Sequence, residues 1–324
     1  MKILVIGGTL FIGRETVRRL VGRGHDLTVL HRHDHHDLGP AIANVTAERS
    51  DLAAMARVLQ EGRFDAIVDM VYDWQKGTPA EQVDATARNG GKSLKRYLFM
   101  SSIAAYGPGS DHRESDPLVA DDNPSVYARQ KAASERALFR LHGESGVPVT
   151  TFRPPFVHGP RQPFYREAFF WDRLRDARPI ILPDGGDAPM QWVFVGDLAE
   201  ACARAIDIPE AAGEAFNIAH TERLTQRSFI ETLARVAGAV PTFVSVPRSA
   251  IQAAGGSVFG GNLYFGEFLD IPSHTSVIEK APRVLGVTPT KLETALEESY
   301  AWYKEQPPRQ VDYTFEDQLL SAAR

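Results

Sequence analysis

Cysteine is almost absent. Cys202 stands alone among 324 residues, so no internal disulfide can form. Its neighbourhood, Leu198-Ala199-Glu200-Ala201-Cys202-Ala203, is an apolar helical pattern in which a thiol packs as a small hydrophobe. Long apolar runs are missing too: none approaches about 18 residues, so no membrane span is expected. Positive charge is not in excess. The net charge is −5, which leaves no overall basic footprint for nucleic acid, and no nucleic-acid partner is expected. There is no internal repeat and no low-complexity tract. Met1-Lys2-Ile3-Leu4-Val5-Ile6 has no long charged lead and no cleavage site, and it reads as a core strand, not a signal peptide. A cytoplasmic location is the resulting expectation.

What is present is ordinary globular material, 43% apolar and 24% charged, enough for one large domain or two smaller ones. Lys2–Ile6 is an apolar run ending at Gly7-Gly8. An amphipathic stretch from Arg14 to Arg23 follows, then a second apolar run, Leu27–Leu30. Strand, turn, helix and strand within about 30 residues make one βαβ unit. The alternation continues: helix over Ala53–Leu59, strand over Ala66–Val71, helix over Val83–Arg88, strand over Tyr97–Ser101, helix over Ser125–His142 and strand over Val149–Phe152. Apolar strands alternating with helices predict an α/β fold, a Rossmann-type doubly wound parallel sheet.

After Arg153 the texture changes. Pro and Gly cluster at 153–160 and 182–186, and helices are expected at Phe169–Ala177, Thr225–Ala237 and Leu292–Tyr303. Residues 1–155, plus about 190–220, read as the dinucleotide-binding domain. Segments of about 156–189 and 221–305 read as a smaller α/β substrate-binding lobe. The tail, 306–324, is polar after Pro307-Pro308 and is expected to be loosely attached.

Two motifs carry chemistry. The turn Gly7-Gly8-Thr9-Leu10-Phe11-Ile12-Gly13 joins the first strand to the first helix, where glycines let backbone N–H groups approach a pyrophosphate. Leu10 stands where a middle glycine is usual. The second strand ends Leu30-His31-Arg32 without the acid that binds a ribose 2′-hydroxyl. Arg32 could instead pair with a 2′-phosphate, so the cofactor expected is NAD or NADP with NADP favoured. Glu48, after a third short strand, is placed for the adenine edge. The second motif is Tyr127-Ala128-Arg129-Gln130-Lys131, with Tyr and Lys one helical turn apart. An ammonium near the phenol is expected to lower its pKa and make it a general acid/base. Ser102, at the end of an apolar strand 25 residues earlier, completes the set. A second copy of the spacing, Tyr300–Lys304, has no such serine and reads as structural.

With these residues in hand, the chain resembles the extended, atypical short-chain dehydrogenase/reductase superfamily of the NAD-dependent epimerase/dehydratase type. The Leu10 form of the turn resembles the branch containing chloroplast stem-loop-binding-like proteins. The resemblance runs through Gly7–Gly13, Ser101–Gly107, Tyr127–Lys131, Arg153–Pro160, Val193–Ala199, Ala215–Ala219 and Leu285–Pro289. It implies that Tyr127 moves the proton, Lys131 binds the nicotinamide ribose and Ser102 holds the substrate oxygen. It also implies that Gly7, Thr9, Leu10, Phe11, Ile12, Gly13 and Val71 line the cofactor, with Pro154 and Phe156 beside the nicotinamide, and that the chain forms a homodimer through the Tyr127 helix and its neighbour.

The reaction is less constrained. Ser102 is followed by Ile103-Ala104, not by the Asp-Glu pair of the family's dehydratases. Gln191-Trp192 stands where nucleotide-sugar enzymes carry a diphosphate-gripping arginine, for which Arg161 or Arg166 could substitute. A partly aromatic pocket of Tyr72, Trp74, Phe156, Trp192 and Tyr264 is the other option. The reading is hydride transfer at a secondary alcohol or ketone of a small polar, sugar-like substrate. Epimerisation of a nucleotide sugar through a transient ketone, with Tyr106 or His158 as second acid/base, is one alternative. A non-catalytic cofactor-sensing or RNA-associated protein is another. His31, His33, His35 and His36 cluster after the second strand; they read as a solvated loop, and no metal is expected.

Overall fold

The computed structural model describes residues 1–91 and 93–322. Its core opens with β1 (Lys2–Ile6), α1 (Phe11–Gly22), β2 (Asp26–His31), β3 (Ala43–Thr46), α2 (Leu52–Gly62), β4 (Ala66–Asp69) and α3 (Ala80–Asn89). Then come β5 (Arg96–Met100), a short strand β6 (Gly109–His112), α4 (Val126–Ser145), β7 (Val149–Arg153) and β8 (Phe156–His158). The second half holds α5 (Glu167–Arg175), β9 (Ile180–Pro183), β10 (Pro189–Met190), β11 (Trp192–Phe194), α6 (Val195–Asp207) and β12 (Glu214–Asn217). It continues with β13 (Leu224–Thr225), α7 (Gln226–Val236), β14 (Phe243–Val246), α8 (Arg248–Ala253), β15 (His274–Ser276), α9 (Lys280–Leu285), α10 (Leu292–Glu305) and α11 (Thr314–Ala322).

Seven strands make one parallel sheet in the order β12-β7-β5-β4-β1-β2-β3. The strand order reverses between β1 and β4, which opens a crevice above their carboxyl ends. Period-two alternation explains the layers. Ile3 and Val5 face Val17 of α1 and Leu198 of α6, whereas Leu4 and Ile6 face Met55 of α2, Val83 of α3 and Leu138 of α4. Both faces are therefore covered, and β4, β5 and β7 are buried along their whole length. A separate core joins α5, β9, β11, α7 and α10 through Phe169, Phe170, Trp192, Phe229 and Leu296.

Two expectations need correction. The first helix begins at Phe11, three residues before Arg14, because the glycine turn leads straight into it. The tail is not loose. α11 is docked on the second core, with Leu319 buried and Glu316 ion-paired to Arg173. Its polar composition hides one carboxylate that belongs to a buried arginine. No helix among the described residues is long and apolar enough to cross a membrane.

Candidate active site

The glycine turn is built by close backbone approach. A Cβ on Gly13 would lie 2.0 Å from the Gly7 carbonyl oxygen, and one on Gly7 would lie 2.5 Å from Val71 Cγ2. Gly7 also takes φ +89°, which disfavours any side chain. Leu10 needs no such freedom: its φ is −119° and its side chain is 72% exposed, so leucine is tolerated where glycine is usual. Thr9 accepts from Arg14 Nε through its carbonyl, and Phe11 is buried against the sheet. Ile12 is half-buried beside it. The first turn of α1 has no side-chain cap, leaving N–H groups at the positive end of the helix dipole. This cradle fits a dinucleotide pyrophosphate.

Val71 connects the turn to the chemistry. Next to it, the Tyr72 ring meets the Tyr127 ring edge-on at 4.7 Å, and its hydroxyl donates to Gln130 Oε1 at 2.9 Å. Tyr127 and Lys131 lie on α4, whose start is fixed by the Ser125 hydroxyl accepting from Ala128 N–H. Lys131 Nζ donates to the Met100 carbonyl at 2.6 Å and lies 5.8 Å from the Tyr127 ring centroid. Ser102 follows β5 directly, and its hydroxyl stands by the phenol and favours the phenolate. The Pro154 carbonyl accepts from Ile103 N–H and so secures the serine's turn. Phe156 begins β8, with the Arg166 guanidinium 5.2 Å from its ring centroid.

Electrostatics depart from expectation at one point. The phenol of Tyr127 is raised above its ordinary pKa because burial outweighs the favourable Ser102 and Arg166 contributions. Lys131 is itself pulled down to about 8 by burial, against the attraction of Asp69 and Glu135. The lowered phenol pKa expected from sequence is thus not met in the protein alone. The lysine spends its hydrogen bond on a carbonyl, and desolvation dominates.

Several expected site residues lie elsewhere. His158 is fully buried, its Nε2 is 2.6 Å from His220 Nε2, and burial holds its pKa well below the usual value. None of its surface faces the crevice or solvent. Tyr106 donates to Asn217 Oδ1 at 2.8 Å and accepts from Arg153 at 2.7 Å, a closed network with no proton to spare. Gln191 is committed to Ser276 through both ends of its amide, and Trp192 stacks on Phe229 at 4.1 Å within the second core. Tyr264 donates to Asp270 in that same core. Arg161 is exposed beside Phe11, Arg14 and Pro160, on the α1 side of the crevice and not among the rings around Tyr127. Arg32 and Glu48 are exposed at the ends of β2 and β3. His31 is buried at the end of β2 and bonded to Asn44, whereas His33 and His35 are exposed in the loop that follows; among the described residues no three metal-binding side chains converge.

Sequence reasoning missed two features. Beneath the site, Arg49 pairs with Asp69 at 2.5 Å, and Tyr97 donates to the same carboxylate. Beside it, Arg153 forks onto Glu135, which also accepts from Ser101 and Thr151. A charged residue inside an apolar strand, such as Asp69 or Arg153, was the available signal.

Comparison with known proteins agrees with this architecture. The model of the NAD dependent epimerase/dehydratase family matches residues 3–219. A chloroplast stem-loop binding protein of 41 kDa from Arabidopsis thaliana is 28% identical over 99% of this chain and 84% of its own length. A 2-alkyl-3-oxoalkanoate reductase from Stenotrophomonas maltophilia is 27% identical over 74% of this chain and 76% of its own. The solved structure of a UDP-glucuronic acid 4-epimerase from Bacillus cereus, in complex with UDP-glucuronic acid and NAD, superimposes with a TM-score of 0.73. It is 19% identical, covering 94% of this chain and 99% of the other.

Proposed function

From the premise that the chain belongs to the NAD dependent epimerase/dehydratase family, we propose that it transfers a hydride between a nicotinamide dinucleotide and a secondary alcohol or ketone. One observation carries this reading: an unbroken contact path runs from the glycine turn through Val71 and Tyr72 to Tyr127. That path supports a proton-moving role for the phenol beside a pyrophosphate held at the turn.

The bound dinucleotide supplies the hydride donor or acceptor. Gly7 and Gly13 keep the turn open to its pyrophosphate, and Arg32 favours NADP by reaching for a 2′-phosphate. Tyr127 delivers its hydroxyl proton to the carbonyl oxygen in reduction and takes it back in oxidation. Ser102 donates a hydrogen bond to that oxygen as charge builds on it. Lys131, held by Met100, binds the nicotinamide ribose, and its ammonium stabilises the phenolate against the desolvation that raises the phenol. Net reduction or oxidation is favoured over epimerisation by deprotonation, because both candidates for a second acid/base, His158 and Tyr106, are locked in buried networks. A homodimer through α4 and its neighbour belongs to the same reading.

The test is Tyr127→Phe, assayed against a panel of ketones at the reduced nicotinamide absorbance. Turnover should fall by about 10²- to 10⁴-fold with dinucleotide affinity unchanged. Equal turnover by the variant would defeat the assignment.

A further inference from the structure

The rings at the crevice mouth form an ordered stack. Trp74 lies on Tyr127, with centroids 5.1 Å apart and planes 17° from parallel. The Phe268 ring is also near-parallel to Trp74, at 6.0 Å and 17°, and Phe164 meets both edge-on at 5.8 and 5.7 Å. Phe259 extends the stack beyond Phe268 at 4.8 Å. Trp74 is nevertheless 59% exposed, so a large apolar ring stands at the mouth with much of its surface in water. The Trp74–Phe268 joint is the widest in the stack. The exposed part of Trp74 offers a planar guest a surface to stack on.

A guanidinium borders this wall. The Arg166 guanidinium lies 4.7 Å from the Phe164 ring centroid and 5.2 Å from that of Phe156. Its single hydrogen bond among the described residues runs from Nε to the Glu267 carbonyl, which leaves its terminal nitrogens to bind an anion. Arg166 also acts on the Tyr127 phenol electrostatically, so an anion held there is near the reacting oxygen. A nucleotide diphosphate would ask for more cations than this wall provides, since Gln191 and Trp192 are committed elsewhere and Arg161 stands on the α1 side.

Resting on the hydride-transfer reading above, we propose that the substrate is an aromatic ketone or alcohol bearing one carboxylate. The ring stacks on the exposed surface of Trp74 at the crevice mouth, and the carboxylate pairs with Arg166. In reduction, hydride leaves the dihydronicotinamide for the carbonyl carbon, the C=O π pair takes the Tyr127 proton, and oxidised dinucleotide and alcohol are released. Bulk water returns the proton to Tyr127.

The experiment uses the full chain with benzoylformate, an aryl keto acid, and acetophenone, which keeps the ring but lacks the carboxylate. Binding is read by tryptophan fluorescence, and turnover by loss of the reduced dinucleotide. Benzoylformate should quench the fluorescence saturably, and Trp74→Phe should abolish that signal. Arg166→Gln should raise KM for benzoylformate about 10- to 100-fold more than KM for acetophenone, while any change in kcat through the Tyr127 phenol is shared by both ketones. Arg166→Lys should recover part of the loss. Saturable quenching without turnover by any dinucleotide would uphold this substrate class while defeating the hydride-transfer reading. Turnover of UDP-sugars, with neither aryl probe bound, would overturn this substrate class and leave hydride transfer standing.

Discussion

Replacing Gly13 by alanine tests the cradle most directly. The added Cβ would sit 2.0 Å from the Gly7 carbonyl oxygen and 2.9 Å from Gly8 Cα, all of it backbone that no side-chain rotation can relieve. Restoring an ordinary contact needs a displacement of about 1.4 Å between α1 and the turn. Overpacking of this kind costs about 1–3 kcal/mol of stability. The same displacement misaligns the N–H groups meant for the pyrophosphate, and misplacement of about 1 Å can cost about 100-fold in a positioned site. Gly22, at the other end of the same helix, has nothing within 4 Å of a Cβ, so Gly22→Ala should gain about 0.5 kcal/mol. Urea unfolding measures both stabilities, and titration with NADPH and NADH measures affinity. Gly13→Ala with undiminished dinucleotide affinity would refute the idea that this turn holds the pyrophosphate.

Other expectations follow from charges. Burial draws Lys131 to about 8 from an ordinary 10.5, so kcat/KM should fall as pH rises through about 8. The sign for stability is opposite: between about 8 and 10.5 the unfolded chain holds the extra proton, so this group's contribution to folding rises with pH there, measurable by urea unfolding across that range. Glu316→Ala leaves Arg173 buried without its partner and should cost about 3–5 kcal/mol in the same assay, most of it recovered by combining Arg173→Met with Glu316→Leu. Arg32→Ala should weaken NADPH binding about tenfold and leave NADH unchanged, because only the former carries the 2′-phosphate.

What the sequence made legible was local. The βαβ rhythm located β1, α1 and β2, and the Tyr127–Lys131 spacing located one face of α4, because periodicity and short-range spacing survive without knowledge of partners. The serine at the end of β5 was legible for the same reason. What stayed hidden depends on contacts distant in sequence. His158 and Tyr106 looked like free acid/base groups until His220 and Asn217, 62 and 111 residues away, took up their polar atoms. Trp192 looked like a pocket wall until Phe229 stacked on it. The docking of α11 hangs on Glu316 finding Arg173 across 143 residues, a match that composition disguises as a polar tail. Trp74 was legible as a pocket aromatic, but its stacking on Tyr127 was not, because Phe164 and Phe268 come from loops without a period.

The edge strand β12 has a consequence for how the protein matures. It hydrogen-bonds along β7, although more than sixty residues separate the two, and it brings fully buried Phe216 against Phe152. Until the ribosome has released residue 217, β7 offers a bare, sticky flank, and Tyr106 lacks the asparagine that fixes it. The nucleotide-holding half is therefore no excisable module ending near residue 155. Its closing stave arrives only after much of the neighbouring lobe has been made, which ties assembly of the two halves into one late event.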